Sequence, residues 1–251
     1  MITTALGVVL LGALAGLLVG CVGIGGVIIV PALAYVAGIP FHVAIPAASA
    51  AYIVSGVIGT ASYARAGHVP WRAAWPVFVA AMPAAVAGAI VSARAPTALL
   101  EVLIGLLAAV SGVHALVATV KARSETFAMG TGSLTGIGVL TGFGSALTGT
   151  GGPLILVPLL IWLEAPVLVA IGLAQVIQLP IALLATAANG WAGSIDPVLA
   201  VGLAAGLAGG TWGGARVAHA LPVATLKRTV AVVLVLTGAA ILARGALRML
   251  A

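Results

Sequence analysis

A glycine-broken apolar segment occurs twice in this sequence, and few folds can accommodate such a segment even once. Gly23-Ile24-Gly25-Gly26 is followed 126 residues later by Gly149-Thr150-Gly151-Gly152, each set interrupting a long apolar run. The same offset joins Ile45 to Ile171, Gly67 to Gly193, Pro96 to Pro222 and Gly112 to Gly238. Two slips interrupt the register: Pro31 pairs with Pro158, one residue late, and Ala93-Arg94 pairs with Ala215-Arg216, four residues early. Similarity born of shared composition would not return to register after each slip. The chain therefore reads as two homologous halves, a construction common among membrane transporters.

Composition sets the solvent in which these halves fold. Hydrophobic residues make up 63% of the chain and charged residues 6%, with a mean hydropathy of +1.33, against about 25% charged in soluble proteins. This is the composition of an integral membrane protein. Runs of about 20 apolar residues without a two-residue alternation cross a bilayer as helices rather than as barrel strands, so the expected fold class is all-α, a polytopic helical bundle. The net charge of +6 is scattered through short connections instead of clustering with aromatics on one face. It reads as a topology signal and predicts no nucleic-acid partner. Cys21 is the only cysteine; it cannot form an intrachain disulfide, and no Cys/His cluster has zinc-ligand spacing, so neither a metal nor a cofactor is expected. Leu18-Val19-Gly20-Cys21 has the look of a lipoprotein signal, but Met1-Ile2-Thr3-Thr4 carries no positive charge, so the first apolar run is expected to stay in the protein.

Gly, Pro and charged residues divide each half into five apolar segments, 4–22, 25–38, 42–63, 73–93 and 97–120, then 127–148, 151–163, 167–190, 197–217 and 223–246. The first repeat is 1–120, a polar linker 121–126 follows, and the second repeat is 127–251. The segments after the glycines hold about a dozen residues, which reach about 20 Å of a hydrocarbon core about 30 Å thick. A short helix leaving a glycine break inside the membrane is tolerated only where protein or a watery cavity satisfies its freed backbone groups. Both breaks are thus expected to face a central site. If the short segments count as crossings, Arg65, Arg72, Lys121, Arg123, Arg216, Lys227 and Arg228 fall on one side and Arg94, Arg244 and Arg248 on the other. That split of seven to three marks the first side as cytoplasmic and makes the halves inverted, with ten crossings. Re-entrant segments would give eight crossings, parallel halves and a split of only six to four, so the inverted arrangement is preferred.

The chemistry expected at the breaks belongs to the backbone. Gly23, Gly25, Gly26, Gly149, Gly151 and Gly152, with Thr150 between them, precede helix starts, where four N–H groups lack partners and the macrodipole places about half a positive charge. Such ends bind anions without a charged side chain; glycines that only permit close helix packing are the competing explanation. Pro31 and Pro158 stand at matching distances and are candidate hinges. In the third segments Ser49 aligns with Gln175 and Tyr52 with Gln178; a spacing of three puts each pair on one helix face, where hydroxyl and amide groups could donate to oxyanion oxygens or bond helix to helix. No acidic or basic residue falls clearly in mid-segment, which disfavours a cation as substrate. His114, well inside a segment, is a candidate for proton coupling, whereas His42, His68 and His219 fall in connections or turns.

The two Gly-x-Gly-Gly sites, each followed by apolar residues and a proline, resemble those of the TauE/SafE family of sulfite and organosulfur-anion permeases, over essentially the whole chain. That family carries Gly-x-Gly-Gly-Gly and then Val-Pro-x-Leu in each half. Here the first copy runs Gly23-Ile24-Gly25-Gly26-Val27 to Val30-Pro31-Ala32-Leu33, one residue shorter, and the second has Pro153 at the third glycine before Val157-Pro158-Leu159-Leu160. The resemblance implies export of a small anion such as sulfite or sulfoacetate across the bacterial inner membrane. The expected function is therefore a multi-pass secondary transporter, not an enzyme, working by alternating access. Its partners would be a small anionic substrate, the lipid bilayer, a proton or sodium ion as coupling ion, and a second copy in a homo-oligomer. The alternatives are a membrane-embedded enzyme acting on lipid phosphates, which would need a nucleophile or base that neither break offers, and a cation or metal permease.

Overall fold

The computed structural model describes residues 5–23, 25–117 and 129–222 and part of 224–243. Among the described residues the fold is all-helical, with no strand. The helices are α1 (Ala5–Val22), α2 (Gly26–Tyr35), α3 (Phe41–Arg65), α4 (Trp71–Arg94), α5 (Thr97–Val117), α6 (Thr131–Thr148), α7 (Pro153–Trp162), α8 (Val167–Trp191) and α9 (Pro197–Ala220). Five of them, α1, α3, α4, α8 and α9, are long and apolar enough to cross a membrane. α6 matches α1 at 18 residues but is rich in Gly and Thr. The linker 121–126 and the cations Lys227, Arg244 and Arg248 lie outside the described residues.

The boundaries of α6, α8 and α9 are those of α1, α3 and α4 moved by 126 residues, from 5–22 to 131–148, 41–65 to 167–191 and 71–94 to 197–220. Left-handed backbone recurs at the same interval: Gly23 and Gly149, Gly38 and Glu164, Gly67 and Gly193 all have φ between 61° and 82°. Glu164 alone bears a side chain there, where only glycine avoids a clash of Cβ with the carbonyl. The slip at the prolines has a local cause. Three residues separate α1 from α2 and four separate α6 from α7, and a connection one residue shorter before α8 restores the register. Pro31 and Pro158 are each the sixth residue of their short helix. The Ala-Arg pairing does not survive: Arg94 ends α4, whereas Arg216 lies a full turn before the end of α9, stacked 3.7 Å over the Trp212 ring.

Helix directions follow from which residues meet. Gly12, Gly16 and Gly20 of α1 press in turn on Leu203, Leu207 and Thr211 of α9, so these two run parallel, and Gly138 and Gly142 of α6 press likewise on Val77 and Ala81 of α4. A Cβ on Gly12 would lie 2.5 Å from the Leu203 carbonyl oxygen and one on Gly16 2.8 Å from that of Leu207. Glycine every fourth residue lets backbones touch where lipid provides no hydrophobic drive to helix association. The Tyr63 hydroxyl donates to the Gly20 carbonyl at 2.8 Å, which brings the C-terminal ends of α3 and α1 together. α8 is antiparallel to α3, because Gly56 faces Leu179 while Gly59 faces Gln175. The end of α6 lies at the start of α3, where Gly149 packs on Ile45. α1 and α6 therefore run in opposite directions.

The short helices turn back on the long ones. A Cβ on Gly25 would collide with the Ala15 carbonyl, two turns back along α1, so the chain folds back on itself within the break. α2 begins beside Tyr52 in the middle of α3 and ends where Tyr35 meets Phe41, ring centroids 5.8 Å apart, at the start of α3. α7 begins beside Gln178 in the middle of α8 and leads after four residues into the start of that helix. With ten residues each, α2 and α7 are about 15 Å long, half of a bilayer core. They leave the middle of the protein in opposite directions.

Candidate functional site

Both short helices start at the centre, and their starts touch. A Cβ on Gly26 would collide with the Thr150 carbonyl and lie 2.8 Å from the Tyr52 hydroxyl; one on Gly151 would lie 3.0 Å from the Tyr52 ring. Each bend also packs on the third helix of the opposite half: Gly149 against Ile45, with a Cβ distance of 2.9 Å, and Gly23 against Ile171 at 3.9 Å. Ile45 and Ile171 are themselves a 126-residue pair. Gly23 further meets Pro153 and Val157 of the other short helix, and Gly152 meets Ile181 and the Gln178 backbone.

The two bends are built differently. Gly149, Gly151 and Gly152 all have positive φ, up to 112° at Gly152, whereas the first bend has Gly23 at 82° and Gly25 in the right-handed region at −73°. Gly25 is needed for contact with Ala15, not for its conformation. Structurally, Gly25 and Gly152 are the equivalent N-caps and Gly26 is the equivalent of Pro153, so the matching glycine strings are offset by one within the break. Neither α2 nor α7 receives a hydrogen bond from a capping side chain. Pro153 at the head of α7 has no N–H, and Ile28 and Ile155 donate to the Gly25 and Gly152 carbonyls, which leaves the N–H groups of Gly26, Val27 and Leu154 at the two starts, where the positive ends of the dipoles meet.

Most polar side chains near the bends are already engaged, although Gln175 Oε1 has no partner. Gln175 donates from Nε2 to the Val19 carbonyl at 2.7 Å, and Gln178 donates to the Tyr52 carbonyl at 3.2 Å and to the Ser55 hydroxyl. Ser49 donates to Ile45 of its own helix at 2.9 Å. Thr150 shares a 3.0 Å hydroxyl contact with Thr148. In this conformation these four groups bind protein. The Tyr52 hydroxyl, by contrast, is buried without a partner, on a residue 1% exposed. A buried orphan hydroxyl costs about 1–3 kcal/mol; it sits at the start of α2, while the ring that carries it packs on Gly151 just before α7.

Two further features lie around this core. Pro158 cannot donate to the Leu154 carbonyl, the usual partner four residues back; the Ser111 hydroxyl of α5 donates to that carbonyl instead, at 3.1 Å. Ser111→Ala should therefore leave a buried carbonyl unpaired and destabilise the protein by about 1–3 kcal/mol, which chemical unfolding in detergent would measure. His114 lies one turn further along α5, with its side chain outside the described residues. The sequence reading missed a cluster at the far end of α1: Tyr63, His68 and His219, stacked with ring centroids 5.2 Å and 5.4 Å apart. One signal was available, since the positions 126 residues after Tyr63 and His68 are Asn189 and Ser194, so the 126-residue offset pairs these titratable rings with residues that have none.

Uncapped helix starts, two converging dipoles and an unpartnered hydroxyl supply donors beside the Thr150 carbonyl, a combination that suits a small anion. The nearest neighbours of the bend glycines are backbone, aliphatic groups and the Tyr52 and Gln178 residues. Comparison with known proteins bears on what the fold does: no curated protein and no solved structure matches the chain, but a family model described as Sulfite exporter TauE/SafE matches residues 8–241. That span takes in both bends and, but for the first three residues of α1, the helices that touch them. The chain belongs to the TauE/SafE family of membrane transporters.

Proposed function

We propose that this protein is a secondary transporter that exports a small sulfur oxyanion, such as sulfite or sulfoacetate, through a site between the starts of α2 and α7. The observation that carries the reading is the meeting of two uncapped helix N-termini beside Tyr52, whose buried hydroxyl has no partner. The anion is held by backbone N–H groups around Gly25, Gly26 and Gly152 and by Tyr52. Gln175, Gln178, Ser49 and Thr150 stand close enough to exchange protein partners for substrate when the halves move.

We read the chain as two inverted repeats. Repeated helix boundaries and the opposed directions of α1 and α6 support this reading, as does the parallel pairing of α1 with α9 and α6 with α4, which is one contact seen twice. Because each bend rests on the third helix of the other half, a tilt of one half against the other shifts both helix starts together. That is a means of alternating access about a fixed central site, with Pro31 and Pro158 as the places where the short helices flex. The family's character as sulfite exporters supports both the substrate class and the direction; multi-pass insertion in the bacterial inner membrane follows from the same reading.

The test is transport by the purified protein in liposomes. Labelled sulfite and sulfoacetate should accumulate faster than in protein-free liposomes under an imposed proton or sodium gradient. Equal rates for both solutes with and without protein would end the substrate assignment. The same anions should raise the melting temperature, since a ligand at 100 times its Kd adds about 2.7 kcal/mol, while divalent metal ions should not.

A further inference from the structure

We infer that His68 binds a proton and, through the His219 ring packed against it, releases the end of α1 bearing the first glycine bend, which makes the proton the coupling ion. The inference rests on the transport reading above and adds the ion that drives it.

His68 is held in place by its neighbours in the chain. Gly67, at φ +77°, ends α3 with N–H bonds from Gly67 to Ala64 and from His68 to Tyr63, at 3.1 Å and 3.0 Å, a left-handed helix stop. The His68 carbonyl then presses on Gly172 of α8, where a Cβ would lie 2.5 Å away. This fixes the His68 ring 5.4 Å from that of His219 in the last turn of α9. His219 Nδ1 faces the Ala215 carbonyl; a carbonyl only accepts, so Nδ1 carries the hydrogen and Nε2 is left as an acceptor. His68 Nδ1 is buried without a partner. His68 Nδ1 is therefore the group of this pair free to take up a proton, 5.4 Å from the His219 ring.

The contact chain runs on to the glycine bend. The His219 ring packs on the Tyr63 ring at 5.2 Å, and Tyr63 donates to the Gly20 carbonyl at 2.8 Å, three residues before Gly23. Cys21 beside it donates to the Gly214 carbonyl at 3.0 Å. On the elements that meet at the pair, the titratable and charged groups nearest in the chain are Tyr63 and Arg65 of α3, Arg72 of α4, Cys21 of α1, Arg216 of α9, and Glu164, exposed in the connection before α8, which itself brings no titratable group between Val167 and Gln175. The C-terminal ends of α1, α3 and α9 converge here, and their partial negative charge favours a bound proton.

Burial, and then the neighbouring His219, hold His68 below its ordinary 6.5. A base with a lowered folded value binds protons more readily once the packing around it opens. Its contribution to stability is full above pH 6.5 and is lost as pH falls through 6.5 towards the folded value. Acid thus favours the opened arrangement, in which water removes the burial penalty while the helix ends remain. The state that takes up the proton is the one in which Tyr63 no longer clamps Gly20.

Two measurements test this on the full-length protein. In liposomes, an inward pH gradient should speed sulfite transport about fivefold or more; His68→Gln and His219→Gln should each lose that acceleration while sulfite counterflow stays within about twofold of the unsubstituted protein. Retained acceleration in both variants, or an unsubstituted protein that ignores pH and follows sodium, overturns the inference. Failure of the transport reading would look different, with no sulfite counterflow in any protein. In that event hydrogen exchange decides: protection of residues 20–26, corrected for intrinsic rates, should fall about tenfold or more from pH 7.5 to 5.5, and this fall should vanish in the doubly substituted protein. The same fall in both proteins, or no fall in either, overturns the inference.

Discussion

Gly151→Leu is expected to abolish saturable anion binding and transport, with affinity falling more than about 100-fold, or about 3 kcal/mol. Two effects combine at this position. The backbone at φ +81° disfavours any side chain, by about 1–2 kcal/mol, and the added Cβ already stands 3.0 Å from the Tyr52 ring. The rest of the leucine must therefore displace Tyr52 from both helix starts. Gly193→Leu separates damage to the fold from damage to the site. Its backbone has φ +67° with nothing within 4 Å of the added Cβ, so the strain is the same and the collision is absent. It should lose about 1–2 kcal/mol of stability and keep its anion affinity, as read by titration with sulfite in detergent. Equal loss of affinity in both variants would mean that the bend acts through folding alone.

Tyr52→Phe should weaken anion binding by about 10-fold to 100-fold, because a hydrogen bond to a charged acceptor is worth about 1.5–3 kcal/mol. The same substitution should leave stability unchanged or raise it. In this conformation the hydroxyl has no partner, so phenylalanine removes an unpaired buried group and keeps the ring that packs on Gly151. Opposite signs for affinity and stability are the signature of a group held in reserve for a ligand. A hydroxyl that served packing alone would give no change in affinity. Isothermal titration and thermal unfolding of the one variant read both quantities.

Much of the fold was legible because bilayer physics leaves few choices. Long apolar runs had to be helices, and the segment boundaries read from Gly, Pro and charged residues fall within a few residues of α1 to α9. Legibility failed where spacing carries no direction. The glycines at 12, 16 and 20 and at 206, 210 and 214 were unremarked in a chain with 34 glycines, yet they set the α1–α9 contact. At the bends the sequence pointed to Gly-rich helix starts, but it could not say that Gly25 serves contact with Ala15 while Gly152 serves a positive φ. Gln175 and Gln178 read as donors to a substrate, and both donate to protein in this conformation, since an amide in a membrane interior takes whichever acceptor the neighbouring helix offers. The pairing of Arg94 with Arg216 followed residue type where helix ends follow register.

Selenite has the shape and charge of sulfite and scatters anomalously, so a map from crystals grown with it tests the central proposal most directly. The account predicts one strong peak between the starts of α2 and α7, within hydrogen-bond reach of the backbone N–H groups beside Gly25 and Gly152 and of the Tyr52 hydroxyl. A peak elsewhere, with both bends still closed on Thr150 and Tyr52, would contradict it.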